Sequence, residues 1–227
     1  MELTAAAQWL NTAFAGYDQA ILGLLHKLAV SAGFLTPLMK LITLLGEKGI
    51  LFFLLSLVLM CFPRTRKMGV CVFGAVCCGA LITNIILKDH VARPRPFEML
   101  ATYRQWWEAV GAPAEDGFSF PSGHVTAAAA GMTALSLSCK PQDKRKFIIG
   151  AVVWVLLMAI SRNYLVAHYP SDVLFAAIIG VASGFIAWAI TKWIFRFLEL
   201  NARKPFCALC LDFDIRDLRE ARYKGKH

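Results

Sequence analysis

Three short clusters in this 227-residue sequence place basic, imidazole and carboxylate side chains at spacings suited to holding a phosphate. One is Phe118-Ser-Phe-Pro-Ser-Gly-His124, which opens an apolar helix expected to run to Cys139. Ser122, Gly123 and His124 sit where that helix begins. There, unpaired backbone N–H groups and the positive end of the helix dipole favour an anion. Gly123 lets the backbone approach a ligand closely, Ser122 adds a hydroxyl donor, and His124 can hold a proton near neutral pH. Alone, this stretch is more simply read as a helix cap with a spare histidine. Two other clusters change the balance: Lys88-Asp-His-Val-Ala-Arg-Pro-Arg95-Pro96 upstream, and Ser161-Arg162-Asn-Tyr-Leu-Val-Ala-His168-Tyr-Pro-Ser-Asp172 downstream.

Phosphate-ester hydrolysis needs positive charge on the phosphoryl oxygens, a nucleophile in line, and an acid for the leaving oxygen. Lys88, Arg95 and Arg162 are fixed cations, and arginine forks suit phosphate oxygens. Each residue also has a bland reading. Lys88 at a span end could be a snorkelling anchor, and His168 before Tyr169-Pro170 an interfacial histidine. Asp172 could simply favour its helix N-terminus, worth about 0.3–1 kcal/mol. His90 reads as a loop residue. The joint occurrence of all these residues argues for chemistry.

The elements that must position them are membrane helices. Apolar residues make up 58% of the chain and charged residues 17%, whereas soluble domains run at about 45–50% apolar. This composition implies one multi-pass domain. The N-terminus has no basic region before its first apolar run, so no cleaved leader is expected. A net charge of +9 could suggest nucleic acid, but its distribution argues against that partner. Three basic residues and no acid lie in Arg64–Lys67, and four basic residues accompany Asp143 in Lys140–Lys146. Lys88–Gly123, by contrast, carries four basic and five acidic residues. Positive loops face the cytoplasm. The seven cysteines avoid that acidic loop, which gives no sign of an external disulfide framework. Cys207 and Cys210 have CxxC spacing but no second ligand pair, so no metal site is expected.

The expected fold is all-α, an integral membrane bundle with five transmembrane helices: Ile50–Phe62, Met68–Leu87, Val125–Cys139, Phe147–Ile160 and Val173–Phe195. Residues 1–49 read as amphipathic helices lying at the membrane surface, with a sixth span left open, and 198–227 as a basic cytoplasmic tail. Small residues recurring in the spans (Gly74, Gly79, Ala127 to Gly131, Gly180, Gly184) read as close helix packing. With the basic loops inside, all three clusters fall on the extracytoplasmic face. Tyr103, Trp106 and Trp107 read as an interfacial aromatic belt, or less simply as the lining of a lipid access path.

Lys88 to Pro96, Pro121 to His124 and Ser161 to Asp172, in this order and spacing, resemble the type 2 phosphatidic acid phosphatase family, which also includes the vanadium-dependent haloperoxidases. The resemblance implies that His168 is the nucleophile and forms a phosphohistidine, and that Asp172 holds its imidazole. It implies that His124 protonates the leaving group, and that Lys88, Arg95, Ser122, Gly123 and Arg162 bind the phosphate. The family spacing selects Arg95 over Arg93, which then reads as an anchor or a surface contact. Neither metal nor cofactor is implied. The expected activity is a lipid phosphatase acting on undecaprenyl diphosphate, with phosphatidylglycerophosphate or phosphatidic acid as the alternative substrate and membrane lipids as surroundings. A haloperoxidase is disfavoured because those relatives are soluble. A small transporter would place charges at mid-membrane, and a silent scaffold would have lost His168 or Lys88.

Overall fold

The computed structural model describes residues 3–216, which form helices and turns with no strand among them. In chain order, α1 (Ala5–Ala13) and α2 (Ala15–Ser31) precede α3 (Thr36–Leu45) and α4 (Ile50–Met60). Next, α5 (Pro63–Ala80) continues through a π-helical stretch, Leu81–Leu87, into a last turn at Lys88–Val91. A short turn at Pro96–Met99 leads to α6 (Ala101–Ala109), and then come α7 (Gly123–Ser138), α8 (Lys144–Tyr164), α9 (Pro170–Leu200) and α10 (Pro205–Asp212). Proline opens α5, α9 and α10, where its missing N–H has no intrahelical partner to lose. Thr4 caps α1 by accepting from the Ala7 amide at 3.1 Å.

At the centre lies α7, packed against α5, α8 and α9. Its run Ala127 to Ala130 is buried, and small side chains there let neighbouring backbones come close. Gly180 and Gly184 of α9 lie one turn apart against it. A Cβ at Gly180 would stand 2.5 Å from the Thr126 carbonyl, and one at Gly184 2.6 Å from the Thr133 side chain. The packing role expected for these glycines is therefore realised. Large apolar side chains point outward instead, among them Leu54 and Val58 of α4, Val152 and Leu156 of α8, and Ile178, Phe185 and Ile190 of α9. Asp18, Arg93, Arg95, Arg162, His168 and Asp172 are buried. This apolar outside around a charged interior is the arrangement of a bundle solvated by lipid.

Three stretches are long and apolar enough to cross a membrane: Pro63–Met99, Pro141–Tyr164 and Pro170–Leu200. The α2 and α3 segments qualify only together, as a pair bent by 100°. Helices α4, with 11 residues, and α7, with 16, fall short of the roughly 20 residues that span the hydrocarbon. The expected helices thus exist, but two of the five are short.

At the other end of the chain, α10 folds back onto the turn between α4 and α5. Arg66 donates to the carbonyls of Cys210 and Leu211 at 2.9 and 2.6 Å, and the Ile215 amide donates to the Cys61 carbonyl at 3.2 Å. Cys207 is buried there, and both tail cysteines are free thiols. The remainder of the basic tail, 217–227, lies outside the described residues.

Candidate active site

The three clusters meet at one end of the bundle. The π-helical stretch ends directly before Lys88, and such widened turns frequently accompany functional sites. Arg95 precedes the turn at Pro96–Met99 and is held by three backbone carbonyls: Gly117 at 2.9 Å, Ala167 at 3.0 Å and Asp116 at 2.8 Å. Ser122 is the N-cap of α7, so Gly123 and His124 form its first turn. Arg162 lies in the last turn of α8, and Asp172 in the first turn of α9. His168 sits in the turn between those two helices.

Lys88, Arg95, Gly123, His124 and His168 line a cleft of about 730 Å³, with Asn84, Lys40 and Glu47 also on its wall, whereas Ser122, Arg162 and Asp172 are buried and do not line it. The backbone is closely packed at Gly123, where a Cβ would come within 3.3 Å of the Asn84 side chain. Arg162 is fully buried, and only one of its guanidinium nitrogens is engaged, by Glu115 Oε1 at 2.5 Å. Its Nε and Nη1 have no partner within the protein, and neither does the Ser122 hydroxyl. The other Glu115 oxygen lies 3.5 Å from Arg95. A carboxylate therefore bridges the two arginines expected to hold phosphate.

His168 Nδ1 lies 2.7 Å from the Ser119 carbonyl. A carbonyl only accepts, so Nδ1 carries the proton and Nε2 keeps its lone pair. Burial, then Arg162, Arg95 and Lys88, hold this imidazole well below its ordinary value of 6.5. The ring is thus neutral at physiological pH and suited to nucleophilic attack.

Asp172 was expected to orient this ring directly. Its Oδ2 stands 3.9 Å from His168 Nδ1, too long for a hydrogen bond. Instead it accepts from the Ser119 hydroxyl at 2.5 Å and the Tyr169 amide at 2.9 Å. Asp172 reaches His168 through Ser119, whose backbone carbonyl leaves no side-chain signature in a sequence. Arg93 is neither a membrane anchor nor a surface contact. It is 1% exposed, and it binds Asp172 at 2.6 Å and Asp18 at 2.9 Å. A cation this deep needs counter-charges, and two carboxylates provide them. Asp18, which in the sequence only interrupts an apolar helix, is correspondingly buried. Glu115 was counted among the loop charges, and only its contacts distinguish it.

The aromatic side chains of α6 pack inward rather than line the cleft. Trp106 stacks on His26 with ring centroids 4.2 Å apart, and Tyr103 is buried against Leu22, Val166 and Tyr169. His90 is exposed, but it lies in the helical turn Lys88–Val91 rather than in a loop.

Phosphatidylglycerophosphatase B of Haemophilus influenzae is 40% identical over 94 residues, 39% of this chain and 36% of that protein. Two relatives are 28% identical: the undecaprenyl-diphosphatase of Sulfolobus acidocaldarius, over 57% of this chain and 58% of its own, and undecaprenyl-diphosphatase BcrC of Bacillus subtilis, over 82% and 88%. The chain thus spans little more than a third and little more than a half of the first two relatives. The fold is similar to the crystal structure of a transmembrane PAP2 type phosphatidylglycerolphosphate phosphatase from Bacillus subtilis. The TM-score is 0.65 at 26% identity, over 83% of this chain and 91% of that one. The family model of the PAP2 superfamily matches residues 68–196, which contain every residue of the three clusters, and the chain belongs to that superfamily as an all-α integral membrane bundle.

Proposed function

We propose that this chain is a membrane lipid phosphatase, that it works through a phosphohistidine at His168, and that its substrate is undecaprenyl diphosphate. The observation that carries this reading is the set of buried donors without partners. Two nitrogens of Arg162 and the Ser122 hydroxyl are left open beside a neutral imidazole. Leaving such donors unpaired is costly, at about 1–3 kcal/mol each, unless a ligand completes them. A phosphoryl group has the oxygens to do so.

In this mechanism the terminal phosphate takes the place of Glu115 on Arg162, with Lys88 and Arg95 sharing its charge. His168 Nε2 attacks the terminal phosphorus in line as its bond to the bridging oxygen breaks and undecaprenyl phosphate departs. His124 is held neutral in the protein alone by burial and by Arg162, His168, Arg95 and Lys88. It takes up a proton as the phosphate's negative charge enters and passes it to the departing oxygen. Water, deprotonated by His124, then attacks the phosphohistidine and releases inorganic phosphate. Residues 50–197 constitute the catalytic domain. The five expected helices cross the cell membrane, with the bent α2–α3 pair as the sixth, and the cleft faces the extracytoplasmic side. A cysteine introduced at Ala114, in a background without reactive native thiols, should then react with an impermeant reagent outside intact cells. One introduced at Gln142 should not, and the reverse pattern would overturn this orientation.

Phosphatidylglycerophosphate hydrolysis is a second reading, favoured by the 40% identity to the Haemophilus influenzae relative. Phosphate release by purified protein across a panel of both lipids and phosphatidic acid, with and without excess chelator, separates these cases. Undecaprenyl diphosphate should give the highest kcat/KM, and activity should survive chelation because three fixed cations take the charge-neutralising role. Inactivity towards every lipid, or loss on chelation that added metal restores, would refute the mechanism.

A further inference from the structure

Two buried charges play no part in the chemistry above. Asp18 comes from α2, far from the three clusters in sequence, and Arg93 is the arginine that the family spacing passes over. Asp18 Oδ1 accepts the Ser171 amide at 2.7 Å, and its Oδ2 accepts the Ser171 hydroxyl at 2.8 Å. It thereby caps the first turn of α9 from another helix. Arg93 donates through Nη2 to Asp18 at 2.9 Å, and through Nη1 to the Ser171 hydroxyl at 2.8 Å and to Asp172 at 2.6 Å. Its Nε is held by Asn11 at 2.8 Å, and the guanidinium carbon lies 3.8 Å from the centroid of the Tyr169 ring. From Asp172 the path passes through the Ser119 hydroxyl, at 2.5 Å, and its carbonyl to His168, at 2.7 Å.

His168 itself lies in a turn where Val166 adopts a left-handed φ of 54° and where neither flanking helix extends its regular ladder. The hydrogen bond that locates its ring comes from the Ser119 carbonyl; the Ser119 hydroxyl is held by Asp172, Asp172 by Arg93, and Arg93 by Asp18. We propose that Asp18 and Arg93 are positioning residues: acting through Asp172 and Ser119, they hold the His168 imidazole in line with the phosphorus. This inference rests on the reading of His168 as the nucleophile. It makes the N-terminal helices part of the catalytic apparatus rather than a peripheral attachment.

The consequence is a loss of rate without a loss of binding. Lys88, Arg95 and Arg162 lie outside the path, so phosphate should still bind when it is broken. Removing Arg93 alone leaves two buried carboxylates without their shared cation, which is worse than removing one charge from each side. The test uses full-length protein in detergent and undecaprenyl diphosphate, with kcat and KM from phosphate release and phosphoenzyme formation from acid quenching. Arg93→Met should lower kcat by about 10²-fold with KM within about threefold, as expected for a displaced reacting group. Adding Asp18→Asn to it should restore about tenfold of that loss, a coupling that independent structural defects do not show. Arg93→Lys should fall between wild type and Arg93→Met.

A loss expressed in KM, an unchanged kcat, or a double variant no better than Arg93→Met would overturn the proposal. If gel filtration and thermal unfolding show that Arg93→Met does not fold, Arg93→Lys and Asp18→Asn carry the same test, with a kcat-only loss expected and a KM-borne loss or unchanged kcat refuting it. His168→Ala separates the two readings. If that variant still turns over, the nucleophile assignment fails and the positioning falls with it. If it is inert while the Arg93 and Asp18 variants keep wild-type kcat, only the positioning fails.

Discussion

Two layers of buried charge serve His168, and they are completed in opposite ways. Behind the ring, every nitrogen of Arg93 donates to a protein acceptor, and both oxygens of Asp172 accept from protein donors. Among the residues expected to hold phosphate, Arg162 keeps two nitrogens without partners, and its third meets Glu115, a partly exposed loop carboxylate. A saturated layer resists rearrangement, because breaking any one contact exposes a buried charge. An unsaturated layer holds the same charge in readiness for a ligand. Burial and charge are therefore not enough to tell support from recognition, since Arg93 and Arg162 are alike in both. What separates them is whether the protein itself supplies all their partners.

The largest expected effect tests the boundary between the layers. His168→Ala removes the group that both layers serve, and activity should fall by about 10³-fold or more for every substrate. His124→Ala removes only a proton donor on the cleft wall. Its cost should reach about 10²–10⁴-fold where the leaving group is a lipid alkoxide or phosphate in need of a proton, and be much smaller for a nitrophenyl phosphate. Measuring both variants on both substrate types checks the assignment. Equal losses, independent of leaving group and with folding intact, would remove the distinction between nucleophile and acid. Acid-quenched wild-type enzyme should carry phosphate on residue 168; finding it on residue 124 would exchange their roles.

This division also explains what could be read from the sequence. Lys88, Ser122, His124, Arg162 and His168 stand out because they fall in three short motifs that resemble those of the PAP2 superfamily, since each residue taken singly also has a bland reading. The helices are legible from their long apolar runs, which predict α5 with its π-helical continuation, α8 and α9 to within five residues at each end. The supporting layer has no such local signature. Asp18 and Ser171 are 153 positions apart, and Arg93 and Asp172 are 79 apart, so their pairing is created only when the helices pack. Ser119 acts in part through a backbone carbonyl, which any residue type would provide. Glu115 lies in an acidic loop where its neighbour Asp116 carries the same charge, and only the fold shows which carboxylate reaches the arginines.

Glu115 supplies the smallest effect and the sharpest test of the unsaturated layer. Its carboxylate makes a charge-assisted contact with Arg162 and lies near Arg95, with its side chain 17% exposed. If phosphate binds to that fork, it must displace this contact, and the displacement is charged against substrate affinity. Glu115→Gln keeps the size of the side chain and an oxygen acceptor but removes the charge. Charge-assisted hydrogen bonds are about twice as strong as neutral ones, a difference on the order of 1 kcal/mol, or about fivefold in affinity. KM for the lipid and the inhibition constant of inorganic phosphate should therefore fall together by about 3–10-fold, with kcat within about twofold. Vanadate, which resembles the pentacoordinate transition state, should gain by a similar factor. If Glu115 instead supports the arginines as Asp18 supports Arg93, the same substitution would loosen them, and KM and both inhibition constants would rise. The direction of the change thus decides to which layer Glu115 belongs.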